Sequence, residues 1–274
     1  MKRQGTYLFL LLILFASCEK RSDFEVKSAD LNFIVVDALL TNEVKNQLVS
    51  LSYPLTQLNG NVRPVTGASV LISNEDSVYL LNESPVNSGK YVSMTSFSAQ
   101  AGKHYTLKVI HGTNIYTAKA QMVTGMDFVP LRYMKNGLDN LYRILWVSNP
   151  YNPNRPAMYE VLLDWSHVPG YQNYNQEDCK SRMMVYTLPT LDVSEVFSPS
   201  KEKILFPLGT KITERRYSLT NEHAEFLREM LMETDWQGGF FNTAPANITT
   251  NLSSGARGFF GVCAVTSKEI EVIK

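Results

Sequence analysis

Apolar and polar positions alternate along much of the chain, in short runs broken by turn residues. In Leu48–Tyr53, Val49, Leu51 and Tyr53 fall on one side and Ser50 and Ser52 on the other. Ala68, Val70 and Ile72 alternate with Ser69 and Leu71, and Tyr105, Leu107 and Val109 with Thr106 and Lys108. A period of two is that of a strand with one buried face. Phe33–Leu40, Val78–Leu81, Tyr91–Met94 and Ile115–Met122 complete about seven predicted strands, separated by Pro54, Asn59-Gly60, the Asn82–Lys90 stretch and His111-Gly112-Thr113-Asn114. No helical period interrupts them. Residues 31–123 therefore predict a β-sandwich.

After Thr124-Gly125 the same reading continues. Strands are expected at Phe128–Met134, Leu141–Ser148, Met158–Asp164, Met183–Leu188, Ile204–Pro207 and Lys211–Leu219. Pro150, Pro153 and Pro156 make Asn149–Pro156 a loop, because proline cannot donate to a ladder. A longer loop runs through Gly170–Asp178. Then the period changes. Phe226, Leu227, Met230 and Leu231 form a helical stripe, and Thr220 is a good N-cap with Glu222 in the first turn. One helix is predicted over about 220–234, ahead of the breaker Gly238-Gly239. Gly258–Thr266 and Glu269–Ile273 are expected as two closing strands. The fold class is all-β: a sandwich at 31–123, whose series Gly67-Ala68-x-Val70, Gly89-Lys-Tyr91 and Gly102-x-x-Tyr105-x-Leu107-x-Val109 resembles immunoglobulin-like or prealbumin-like sandwiches, then a β-rich C-terminal domain at 124–274 carrying one helix.

The first thirty residues follow another rule. Lys2 and Arg3 precede the apolar run Leu8–Phe15, with Ala16, Ser17 and Cys18 behind it. The run is far shorter than the ~20 residues of a spanning helix and matches the h-region of a signal peptide. Leu14-Phe15-Ala16-Ser17-Cys18 resembles a bacterial lipobox. That resemblance implies a signal peptide at 1–17, acylation of Cys18 (palmitate among the chains), and a membrane held through the lipidated N-terminus. Residues 18–30 read as a charged tether.

Of the sequence, 44% is apolar and 19% charged, and the formal net charge is zero. That composition supports a core and leaves no basic footprint for nucleic acid. Cys179 and Cys263 remain beyond the anchor; an exported chain allows a disulfide between them, or they stand as two separate buried thiols. His104 and His111 sit at opposite ends of one strand, and His223 is expected to be solvated on the first helical turn. Asp164, His167, Glu177 and Asp178 share a polar loop without ligand spacing. No motif of nucleophilic, metal or nucleotide chemistry is present, so no cofactor, no metal and no catalytic residue is assigned. Tyr151, Tyr171 and Tyr174 are loop aromatics that either stack on a sugar or peptide or are ordinary loop tyrosines. A second candidate surface is Pro245–Gly258. Asp76-Ser77-Val78 resembles an O-glycosylation acceptor of exported Bacteroidetes proteins, with Ser77 the modified residue.

The motifs Leu145-Trp146-Val-Ser-Asn149-Pro150, Met158-Tyr159-Glu-Val161, Gly239-Phe240, Pro245-Ala-Asn247, Asn251-Leu and Gly255-x-x-Gly258-Phe259-Phe260-Gly261, with the lipobox and the sandwich, resemble the Bacteroidetes outer-membrane lipoprotein family called domain of unknown function 4249. The resemblance spans nearly the whole mature chain. It implies a lipid-anchored outer-membrane protein, facing the periplasm or the cell surface, and a non-enzymatic accessory of a TonB-dependent receptor. A structural or adhesive surface module is the second expectation and an envelope hydrolase the third.

Overall fold

The period-two stretches become strands with the expected faces inward. In the computed structural model, which describes residues 33–55, 60–137, 140–147, 155–188, 204–234 and 248–274, the first seven are β1 (Ile34–Thr41), β2 (Leu48–Ser52), β3 (Ser69–Ser73), β4 (Val78–Glu83), β5 (Lys90–Ser93), β6 (His104–His111) and β7 (Asn114–Gln121). Val36, Val49, Leu51, Val70, Ile72, Tyr105, Leu107 and Val109 are each at most 2% exposed and form one core. Burying each such side chain stabilises the fold by about 1.5–3 kcal/mol.

The second half supplies β8 (Arg132–Lys135), β9 (Leu141–Trp146), β10 (Ala157–Asp164), β11 (Lys180–Thr187), β12 (Phe206–Pro207), β13 (Lys211–Ser218), helix α1 (Asn221–Thr234) and β14 (Ala256–Glu271). The fold is all-β with this one α-helix among the described residues. The two closing strands expected at 258–266 and 269–273 are one strand, β14, of 16 residues. Its first half runs parallel to β1, from Ile34 opposite Ala256 to Thr41 opposite Cys263. Its second half runs antiparallel to β13, from Ser218 opposite Ala264 to Lys211 opposite Glu271. The result is one sheet of eleven strands in the order β11-β10-β13-β14-β1-β2-β5-β4-β3-β6-β7. Residues 32–274 accordingly form one compact unit, and the sheet runs without a break past the boundary read at 123/124. Phe260, Val262 and Ala264 complete the core of the first seven strands.

The far edge of that sheet is also tied back to β14. Leu252 forms an isolated bridge with Ala118 of β7. The Ser253 amide donates to Thr117 O at 2.8 Å. Asn251 Nδ2 donates to Lys119 O on β7 and to Phe260 O on β14, at 3.1 and 2.8 Å, while its Oδ1 accepts from the Phe260 amide at 3.1 Å. One asparagine thus satisfies backbone groups of two strands that would otherwise be left unpaired.

The β10–β13–β14 part of the sheet is covered on both faces. On one face a small sheet, β12-β9-β8, packs Phe206 near Tyr159, Val161, Leu163 and Ile212, together with Phe128, Leu131 and Val147. On the other lies α1, with Ala224, Leu227 and Leu231 against Met158, Leu188, Tyr217 and Cys263. Thr220 is its N-cap, since Thr220 Oγ1 accepts from the His223 amide at 3.2 Å. His223 itself is buried, not solvated: the first turn of α1 lies directly on β14, and the ring stacks on Phe259 at 4.6 Å. Gly261 leaves the space for it, because a Cβ there would sit 2.5 Å from His223 Cε1.

Gly258 is the tightest point of the β1–β14 seam. Its φ is +97°, and a Cβ would sit 2.0 Å from Val36 O. Gly258→Ala is expected to cost about 3 kcal/mol or more, from positive-φ strain and a backbone clash together. Gly67, with φ +68° and open space around it, isolates the strain alone, so Gly67→Ala should cost about 1 kcal/mol. Urea unfolding of both variants checks the difference; equal losses would show that the seam tolerates a side chain.

Candidate binding cleft

Strand β13 carries Glu214, Arg215 and Arg216 in succession. Because neighbouring side chains point to opposite faces, Arg215 and Tyr217 lie on the helix side and Glu214 and Arg216 on the side of the small sheet. All are wholly or largely buried. A buried charge is costly unless paired or neutralised, and these three meet that demand differently.

Arg215 is paired. Its Nη1 donates to Glu160 Oε2 at 2.8 Å, and its Nη2 reaches both oxygens of Glu43 at 2.6 and 2.7 Å. Arg182 Nε donates to Glu160 Oε1 and the Tyr217 hydroxyl to Glu160 Oε2, each at 2.7 Å. Glu43 belongs to the β1–β2 connection, so this network fastens the first seven strands to β10 and β13. Burial works to raise the Glu160 carboxyl, but the Tyr217 and Arg182 hydrogen bonds and the two arginine charges hold it below its usual value.

Glu214 is partly neutralised. One oxygen accepts from the Leu131 amide at 2.8 Å; the other, Oε1, has no partner. Burial pushes its pKa up to about 7 against the opposing pull of that amide and of Lys268.

Arg216 is neither. Its Nε donates to the Tyr159 hydroxyl at 3.3 Å, Nη1 to Ser218 Oγ at 2.6 Å and Nη2 to Arg155 O at 3.5 Å. All three acceptors are neutral, and among the described residues no carboxylate forms an ion pair with it. The residue is 5% exposed, yet it lines an open cleft of ≈ 240 Å³ with Val123, Thr124, Met126, Arg155, Pro156, Ser218, Leu219, Thr220 and Asn221. The cleft sits where the 123–126 connection passes the first turn of α1, whose N-terminal amides add a positive field. A broader hollow of ≈ 790 Å³ lies at the small sheet, between Tyr133, Tyr142, Leu208 and Ile273.

Other residues singled out in the sequence take structural roles. Tyr171 and Tyr174 come together, ring centroids 5.7 Å apart, with Tyr174 62% exposed, but they line neither cleft. Tyr151 and Cys18 lie outside the described residues, as does Pro245–Asn247 of the second candidate surface. Ser77 closes the β3–β4 hairpin, its amide donating to Asn74 Oδ1 at 2.8 Å. Asp164 Oδ1 accepts from the Ser166 amide and hydroxyl, and those bonds hold its pKa below the usual range. His167 meets Gly209 O at 3.0 Å, and Glu177 pairs with Lys180.

Cys179 and Cys263 are separate, buried, free thiols and not a disulfide. The sheet order puts β13 and β10 between β14 and the strand that follows Cys179. Three strand spacings are about 14 Å, well beyond the ~7 Å Cα reach of a disulfide. Cys263 Sγ lies 3.6 Å from His223 Nδ1. This is no nucleophile–base pair, since burial pushes the thiol up to about 12 and pulls the imidazole down to about 4. Both groups are neutral at pH 7, and the sulfur is shut off from solvent.

A family described as a domain of unknown function (DUF4249) matches residues 19–269. The chain belongs to this family. No match is found among curated proteins. The quoted motif residues Asn251, Gly258 and Gly261 are those that join β14 to β7, β1 and α1. Arg155, Arg216 and Ser218 escaped the sequence reading. The signal that could have found them is the Glu214-Arg215-Arg216 triplet: a strand flanked on both sides must bury some of three consecutive charges.

Two variants check this electrostatic account. Arg215→Ala leaves the buried Glu160 carboxylate with only the largely exposed Arg182 as countercharge and should cost about 2 kcal/mol in denaturant unfolding; a loss below about 1 kcal/mol would reduce the network to a surface contact. For Glu214, the folded pKa of about 7 stands above the ordinary 4.5. Between these values the folded chain keeps a proton that the unfolded chain releases. Stability should fall as pH rises from about 4.5 to 7 and stay lower above. Glu214→Gln should flatten that slope and raise stability at pH 8 by about 1–3 kcal/mol. A slope unchanged in the variant would assign it to other groups.

Proposed function

We propose that this protein is a non-catalytic binding protein of the cell envelope, held on the outer membrane through acylated Cys18 and serving a TonB-dependent receptor as its accessory. The observation that carries the binding reading is the open cleft around Arg216. It offers a desolvated cation to something outside the fold, whereas the thiol and imidazole of Cys263 and His223 are enclosed and neutral. The anchoring part is supported by Lys2-Arg3, the apolar run Leu8–Phe15 and Ala16-Ser17-Cys18. The receptor part is supported by the family resemblance set out above. No helix among the described residues is long and apolar enough to cross a membrane.

A structural or adhesive module is the second reading, favoured by an apolar strip on the first sheet. Val78, Leu80 and Met94 are more than half exposed there, and the Met94 amide donates to Leu80 O at 3.0 Å.

Labelled palmitate added to cells should be incorporated into the natural chain and not into Cys18→Ala, which should leave the membrane fraction. Equal labelling of both would remove the anchor from the reading. A mild-detergent pull-down from native outer membranes should bring down a β-barrel receptor in near-stoichiometric amount. Recovery of the chain alone, repeated after crosslinking, would move the weight to the adhesive module.

A further inference from the structure

We propose that the cleft around Arg216 is a carboxylate-binding site, taking one carboxylate carried on a short apolar scaffold. The proposal deepens the binding reading and rests on it.

A guanidinium has five N–H donors in a planar fork. Tyr159, Ser218 and Arg155 O engage three of them. Two donors remain and, although its Cζ also lies over the Tyr159 ring at 5.9 Å, no carboxylate among the described residues balances its charge, in a residue only 5% exposed that lines an open cleft. An arginine so enclosed, with no ion-paired carboxylate among the described residues, is costly to the fold alone. It is well placed to take an anion, because a charge-assisted bond in a partly desolvated site is stronger than one in water. The fork matches the two oxygens of a carboxylate. Ser218 Oγ holds the guanidinium plane by accepting from Nη1. The rim adds Arg155, which is exposed, and Thr220 and Asn221 at the start of α1. These contribute field and hydrogen-bonding groups but no second buried cation.

Charge and size choose between anions. One buried guanidinium balances one negative charge, which favours a carboxylate over a phosphate dianion. Val123, Met126, Pro156 and Leu219 make the remaining walls apolar, suiting a hydrocarbon or aromatic body next to the acid. A volume of ≈ 240 Å³ lies below the roughly 300–1,000 Å³ of sites that enclose a drug-sized ligand. The cleft therefore receives the acidic head of a ligand while the rest stays outside. That acid is either a free small molecule or the carboxyl end of a short peptide.

The test is calorimetric titration of the full chain in mild detergent with benzoate, its neutral isostere benzamide, inorganic phosphate, and acetyl-Ala-Phe bearing a free carboxyl. Benzoate or the peptide acid should bind with a dissociation constant on the order of a millimolar or below. Benzoate binding assigns the ligand to free acids, and binding by the peptide acid alone to chain ends. Benzamide should bind at least tenfold more weakly. Arg216→Lys keeps the charge, loses the fork, and should weaken binding about tenfold. Should that variant not fold, Arg155→Gln on the exposed rim should weaken it about twofold to fivefold and reduce its salt dependence. The proposal is overturned by benzamide binding as well as benzoate, by phosphate binding more tightly, by silence of both acids at tens of millimolar, or by affinity unchanged in every variant that folds. The assay needs neither acylation nor a receptor, so its failure would leave the membrane-accessory reading standing, and a failed pull-down would leave the cleft standing.

Discussion

The backbone pairing of β14 is what the rest of the structure depends on. A strand at a sheet edge leaves a row of amides and carbonyls unpaired. Here the first strand of the fold would be such an edge, since β2 covers only one side of it. The last strand closes it, running parallel to β1 over eight residue pairs before passing to β13. The first core is thus completed by Phe260, Val262 and Ala264, residues that follow it by well over a hundred positions. A contact of such sequence separation is slow to form, because loop-closure entropy must be overcome first. The region 31–123 has the pattern of a sandwich but lacks the strand that finishes it.

Close approach along that seam sets the local chemistry of β14. Gly258 stands where the backbone of β1 fills the space a Cβ would need, and Gly261 where the ring of His223 rests. Between β14 and β7, Asn251 bonds both backbones. The roles of all three residues are architectural. The same packing buries the Cys263–His223 pair and so deprives it of the charged states that nucleophilic chemistry requires.

Beside the seam, β13 concentrates the electrostatics. Its three consecutive charges point alternately to two covered faces, so each is withdrawn from water. The outcomes differ because the neighbours differ: carboxylates surround Arg215, a single amide meets Glu214, and neutral oxygens meet Arg216. Arg216 opens on a cleft. A residual charge facing solvent through an apolar-walled opening is a binding determinant more readily than a structural one, since the fold by itself gains little from keeping it.

The elements themselves were legible in the chain. The period-two stretches 48–53, 68–72 and 105–109 became strands with the expected faces, and Thr220 with the stripe of Phe226, Leu227, Met230 and Leu231 marked the helix and its cap. Such signals are local: one buried face or one orphan amide suffices to select the residue. What the chain could not display was partnership. The single strand across 256–271 reads as two, because Ser267 and Lys268 interrupt the apolar pattern while the backbone pairing continues. His223 reads as solvated because nothing near it in sequence reveals that Gly261 lies beneath its ring. Cys179 and Cys263 leave their pairing open until the sheet order separates them. The fate of Glu214, Arg215 and Arg216 likewise depends on Leu131, Glu43, Glu160 and Tyr159, brought to them across the sheet. Sequence determined which residues could be strand, helix, cap and core; only tertiary structure decided which charges found partners, because pairing and desolvation are properties of neighbours that are distant along the chain.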